Sequence, residues 1–334
     1  MKILKKFAKI LLITIAGLLA LILLILSALH IAKYFIYPDY YHNIERISPI
    51  PALNSGFVPQ GLSYDAENDT YVHSGYHGKY VELYLVSGNE TKALTLLNTD
   101  GSRAEGHGGG VAVAGDYLYI SDSQKIDGVK TGVLLIYRYA DVLNAENGEE
   151  VTAIDTAIVD TDGAAFCFAD ENYLYVGEFY RAGNYETSES HYYTTPAGEQ
   201  NKAIFSAYPL TADGALADAY PEYSCSITGL VQGVAITAGG KIALSRSWGL
   251  NPSYLEIHSG MKDSGTTIGV SGKEVPLYYL DSTTREQNVK LPAFSEGLTL
   301  TANGEVAITF ESACNSYIVG KFFFANKVVA YPVD

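Results

Sequence analysis

The sequence predicts an all-β chain, a five-bladed β-propeller, behind one membrane-spanning helix. Three observations carry that expectation: a charge-free run near the amino terminus, five copies of one strand-turn-strand pattern, and a final strand without a following partner. The 334 residues, 48% of them hydrophobic, are enough to bury a large core in one or two domains.

Lys2, Lys5, Lys6 and Lys9 precede an uncharged stretch from Ile10 to Leu29. A helix of that length spans roughly 30 Å, the thickness of a bilayer's hydrocarbon core. The run ends in LSALHIAKYF without a small-x-small cleavage pattern, which points to a retained anchor rather than a removed signal peptide. Positive charge ahead of the span places the amino terminus in the cytoplasm and the rest outside. The expected layout is a cytoplasmic tip and anchor over residues 1–33, an aromatic stalk over 34–44 and a propeller over 45–334. The chain is thus expected to be a single-pass protein of the cell membrane, partnered with lipid through its first helix, with an extracellular propeller.

Beyond residue 33 the chain carries 17 basic and 37 acidic side chains, a formal charge of −20. Such a domain repels nucleic acid and anionic lipid and attracts cations, Ca²⁺ among them. Cys167, Cys225 and Cys314 are too scattered to frame disulfides or a zinc site, and Cys167, inside AAFCFA, reads as a small buried hydrophobe.

The repeated units are PQGLSYDAENDTYVHSGY, GGVAVAGDYLYISDS, AAFCFADENYLYVGEFY, VQGVAITAGGKIALSRSW and SEGLTLTANGEVAITFES. Their turns, AGD, ADEN, AGGK and ANGE, are the Gly, Asn and Asp clusters that close hairpins. A third apolar strand follows each hairpin: VELYLV, VLLIYRY, AIFSAYPL, PLYYLD and VVAYPVD. Fourth strands KALTLLN, VTAIDTAIV, YSCSITG and NVKLPA complete only the first four units. The stretch before the first repeat matches the end of the fourth, so Ile47–Ala52 is expected to pair with Val328–Val333 and close a ring. Repeats begin at Gly61, Gly110, Ala165, Gly233 and Gly297, with intervals of 49, 55, 68 and 64 residues. The surplus length is assigned to connections between the second and third strands of blades three and four.

In a propeller the start of each innermost strand and the end of its antiparallel neighbour share a face. That rule selects Gln60, His107, Asp162, Gln232 and Glu296 from the strand starts, and Tyr76, Asp122, Glu178, Arg246 and Glu311 from the strand ends. Most are polar although they adjoin apolar strands, which marks the face as a candidate site, against the plainer reading of solvated or ion-paired strand ends. Glu105 and His107 lie in EGHGGGV, where glycines permit close backbone approach to a ligand. The strand-glycine-helix setting of a phosphate loop is missing, which argues against nucleotide binding. The long connections bring Tyr185, Tyr192 and Tyr193 in blade three, and Trp248, Tyr254 and His258 in blade four. Such residues stack on flat ligands or pack their loops down.

With VPQGL, HGGGV, VQGVA, SEGL and FESA in order, the chain resembles secreted or membrane-anchored bacterial β-propeller proteins of unassigned activity, over Ile47 to Asp334. More distantly, SEGL and PQGL resemble strand openings of gluconolactonase-like and esterase-like propellers. That resemblance implies a divalent cation held by acids at the channel mouth, and Glu296 is the residue that matches. Two functions stay open. One is a tethered module binding a small molecule or glycan through Gln60, Tyr76, Glu105, His107, Tyr185, Tyr192, Gln232, Arg246 and Trp248. The other is a hydrolase of a glycan, lactone or ester, with its acid and base among Asp122, Glu178, Glu296 and Glu311, or with Ca²⁺ among Asp122, Asp162 and Glu296. A structural spacer is the third reading.

Overall fold

A computed structural model describes residues 2–333 except 127, 160–162 and 324. After an apolar helix α1 (Lys2–Ile36), long and apolar enough to cross a membrane, and a short helix α2 (Pro38–Asn43), the chain is almost entirely β. Five sheets lie around one axis as blades. Their innermost strands are Val58–Asp65, Gly110–Ala114, Phe166–Ala169, Val231–Ile236 and Ser295–Leu300.

The small residue opening each repeat has a steric cause. A Cβ on Gly61 would lie 2.5 Å from the Val111 amide of the next blade, and one on Gly110 would lie 2.2 Å from the Cys167 amide. Gly297, in the last blade, faces Gln60 and Leu62 in the first, with a built Cβ only 2.7 Å from each. Inner strands meet backbone to backbone near the axis, and no larger side chain fits there. The hairpin turns also follow their glycines, as at Gly115 (φ +51°) and Gly304 (φ +80°), where positive φ matches the strand twist.

The ring closes as the unpartnered last strand requires. Glu45–Pro49 pairs antiparallel with Lys327–Tyr331, Glu45 opposite Ala330 and Pro49 opposite Lys327, and supplies blade five's outermost strand. The strand lies two residues earlier than expected. Ile50–Ala52 turn away instead, because Pro51 offers no amide to a ladder and Ala52 adopts φ +53°.

Blade four differs more from expectation. Its third strand is Ser253–His258, pairing with Ile242–Arg246 and Arg285–Leu291. PLYYLD belongs instead to a hairpin, Lys262–Val270 with Lys273–Tyr279, inserted between the third and fourth strands. That hairpin crosses to blade three and extends its edge in parallel, Ser224 opposite Leu277, burying Ile268, Val270, Val275 and Leu277 against Ile204. Asn201 Nδ2 donates to the carbonyls of Ser226 (3.1 Å) and Leu280 (2.9 Å) and latches the two blades together. The surplus of blade four therefore lies mostly on the face opposite the one expected. VTAIDTAIV likewise divides: Glu150–Thr152 adds to blade one and Asp155–Val159 completes blade two. All three cysteines are free and buried, and burial pushes the Cys167 thiol up to about 12.

Candidate functional site

Where the inner strands begin, a cavity of about 490 Å³ opens along the axis. Three of its polar residues get there by one device. The ladder slips between Pro59 and Gly61, between Val231 and Gly233, and between Ser295 and Leu298. A bulge re-aims the residue it frees. Gln60, Gln232 and Glu296 are the residues at those slips, and all three line the cavity.

Glu296 and Glu311 come together as a hydrogen-bonded carboxyl pair, both buried. Gln60 Nε2 donates to Glu311 Oε2 at 2.9 Å, and Gln232 Nε2 approaches Glu296 Oε1 at 3.4 Å. Each carboxyl thus has its own amide neighbour. Burial pushes Glu311 up to about 8, although the hydrogen bonds from Gln60 and Glu296 favour its charged form. Burial first, and then the neighbouring Glu311 charge, hold Glu296 well above the usual carboxylate range. Burial and the closeness of two like charges both favour the protonated form of the pair near neutral pH.

The remaining wall is aromatic. Tyr76 stacks on His107 with centroids 4.8 Å apart, and Tyr317 stacks on Phe294 at 4.6 Å. Trp248 meets Phe179 (5.9 Å) and Tyr185 (5.8 Å), with the Arg181 guanidinium 4.1 Å from its ring centroid. Lys130 and Glu186 complete the rim.

Of the ten ring positions, Gln60, Tyr76, His107, Asp122, Glu178, Gln232, Glu296 and Glu311 line the cavity, together with the loop residues Tyr185 and Trp248. Asp162 lies outside the described residues. Asp122 anchors backbone: it accepts from the amides of Gly108 (2.9 Å) and Ser123 (2.7 Å), which fixes the glycine run. Burial nevertheless raises its carboxyl, against hydrogen bonds from the Gly108, Ser123 and His107 amides. Glu178 accepts from the Ile204 amide (3.1 Å) and lies 2.7 Å from His191 Nδ1, tying down the blade-three insertion.

Three expected residues fall outside the cavity. Arg246 turns to Glu256, 2.5 Å away within blade four, because an almost fully buried carboxylate draws the nearest guanidinium. Glu105 pairs with Lys79 at the surface and lines a shallow neighbouring depression with Tyr80 and Arg103. Tyr192 packs edge-on to Tyr180 (6.0 Å) with Lys202 over its ring (4.7 Å), so it secures its own loop.

Of the Ca²⁺ set expected from Asp122, Asp162 and Glu296, Asp162 lies outside the described residues, Asp122 accepts from backbone amides and Glu296 faces Glu311. Among the described residues no three His, Cys, Asp or Glu side chains are grouped to hold a cation. Sequence reasoning missed Tyr317, Phe179 and Lys130. Tyr317 lies in the second-to-third connection of blade five, and the rule applied to blades three and four would have reached it.

Fold and cavity together define a β-propeller with an axial pocket. No protein-family model matches the chain, and no curated protein matches it in sequence. Among solved structures it is similar to the PQQ-bound aldose sugar dehydrogenase of Streptomyces coelicolor, with 17% identity over 80% of this chain and 78% of that one and a TM-score of 0.41. It is also similar to a GH43_1 enzyme from Xanthomonas citri (12%, 86% and 90%, TM-score 0.44) and a gluconolactonase from Xanthomonas campestris (13%, 87% and 89%, TM-score 0.34). Likeness at this level brings no substrate or residue role to this chain.

Proposed function

We propose that this chain is a membrane-tethered extracellular propeller that binds a neutral, polyhydroxylated small molecule, a sugar or the end of a glycan, in its axial pocket. The supporting observation is the buried carboxyl pair Glu296–Glu311 set between two glutamines. With burial raising both carboxyls, the pair offers hydroxyl donors as well as acceptors and carries little charge near neutral pH, and that chemistry suits hydroxyl groups. Trp248, Phe179 and Tyr76 supply flat surfaces on which a sugar ring can stack.

The test is thermal unfolding of the full chain in detergent against a panel of neutral sugars. A ligand at about one hundred times its Kd stabilises the folded state by about 2.7 kcal/mol. A rise in melting temperature that disappears in Trp248→Ala and in Glu311→Leu is the expected result. No rise with any neutral sugar would sink the reading.

One observation favours a second reading, hydrolysis of a glycosidic, lactone or ester bond. Burial raises both carboxyls of the pair, which favours a proton there near neutral pH, as a general acid needs. Its proton would pass to the leaving oxygen while water adds to the reacting carbon and returns a proton to the pair. Two carboxyls in hydrogen-bond contact are closer than the roughly 5 to 9.5 Å that separates acid from nucleophile or base in glycosidases. A second carboxylate, Glu178, would then be needed. Release of a chromogenic leaving group, slowed about a hundredfold or more in Glu311→Gln, would select this reading over binding alone.

A further inference from the structure

The second-to-third strand connections and the strand ends beside them surround the pocket: Tyr185, Trp248 and Tyr317 from the connections of blades three to five, and Lys130 from the strand end of blade two, all line it. The same connections carry an apolar rim. Outside α1, the exposed large hydrophobic residues among those described number nine, and six lie on this side: Tyr185, Leu250, Ile318, Val319 and Phe322 in the connections and Val129 on the strand end beside one. Ile318 is 73% exposed, Val129 66% and Leu250 56%. Solvent-facing side chains of this kind concentrated on one face mark an interaction surface.

The course of the chain says what covers it. Tyr37, just after α1, packs against Phe323 (centroids 6.4 Å), and Tyr41 Oη donates to the Phe323 carbonyl (3.2 Å). Phe323 ends the kinked 3-10 segment Asn315–Phe323 that carries three of the six apolar tips. From there α2 leads to Glu45, whose partner Ala330 lies towards the far end of blade five's third strand. The apolar helix therefore leaves the propeller from the mouth side. Exposed Tyr34, at the end of α1, and Trp248, at the pocket, lie on that side, and Tyr and Trp favour the membrane-water boundary.

We propose that the mouth of the propeller docks on the bilayer that holds α1, with Ile318, Val319, Phe322, Leu250 and Val129 inserting among the lipids. The inference rests on the tether proposed above and adds an orientation to it. The pocket then opens onto the headgroup layer. With a formal charge of −20 beyond residue 33, the contact is apolar rather than electrostatic and persists in high salt.

Trp248 is the single tryptophan of the chain and sits on the docking face, so it reports contact without labelling. The full chain is placed in neutral phosphatidylcholine vesicles containing a lipid with a spin-labelled headgroup, and vesicle flotation is measured in parallel. The expected result is loss of most Trp248 emission relative to unlabelled vesicles, unchanged by salt. An Ile318→Asp, Val319→Asp variant that still floats and melts normally should regain that emission, and Val129→Asp, on a different blade, should regain part of it. Protein that floats but is not quenched overturns the docking and leaves the tether standing. Quenching that persists in both variants overturns the assignment of the apolar tips. Failure to float overturns the tether and the docking together.

Discussion

Two buried glutamate sites, one inside blade four and one on the axis, are driven in opposite directions. Glu256 is held at about 2: burial alone would raise it, but His258 (3.6 Å), Arg246 (2.5 Å) and Arg285 (3.1 Å) reverse the effect. Glu311 is pushed up to about 8 by burial, which the hydrogen bonds from Gln60 and Glu296 only partly offset. Desolvation is common to both, and the presence of a cation decides the charge state. The ionised site spends its charge within the blade, whereas the protonated pair faces an open cavity with hydrogen-bonding capacity left for a ligand.

The comparison breaks most sharply at Glu256. Glu256→Gln leaves Arg246 and Arg285 facing a neutral amide in a buried setting, and breaking such a cluster costs about 3 kcal/mol. Both arginines are partly exposed, so water recovers some of the loss; denaturant unfolding measures the remainder. Glu311→Gln removes no counterion and is expected to leave stability at neutral pH unchanged or raised.

Acid and base should then separate the two sites. The carboxyl of Glu256 is lower in the folded than in the unfolded chain, so its stabilisation is complete above about 4.5 and disappears as pH falls towards 2. For Glu311 the folded value is the higher one. Its contribution is complete below about 4.5 and is lost as pH rises through about 8. Melting temperature is therefore expected to fall by about 5 °C between pH 5 and 8, and to do so much less in Glu311→Gln. A flat wild-type profile over that range would show that the axial pair does not hold its proton.

A smaller effect sharpens the role of the flanking amides. Gln60→Leu deprives Glu311 Oε2 of its donor, at a cost of about 1 kcal/mol, and raises the Glu311 carboxyl further. The downward step in the melting profile should move to higher pH. Gln232→Leu, whose contact is the longer one at 3.4 Å, should move it less.

Most of the ring was legible because it follows from strand polarity alone. Once five hairpins are recognised, their first and last residues must share a face, whatever their chemistry. Arg246 shows where that logic stops. Its diversion depends on Glu256, in the strand SYLEIH, which reads as loop because its apolar face amounts to Leu255 and Ile257 within six residues. PLYYLD has the stronger β-propensity and reads as the blade's third strand. Only the edge of blade three, offering an open strand at Tyr223–Ile227, explains where that segment went. The bulges at Gln60, Gln232 and Glu296 left a trace in the repeated Q-G and E-G openings, but a glycine after a polar residue does not state that the ladder slips.

By itself the sequence determined the number of blades, the borrowed closing strand and the face on which polar residues gather, since periodicity and chain direction are local properties. Tertiary structure decided which acids keep a proton, which arginine is withdrawn and which blade receives the extra hairpin. Those outcomes turn on distances between side chains far apart in the chain, and on whether a buried carboxyl meets a cation or another acid.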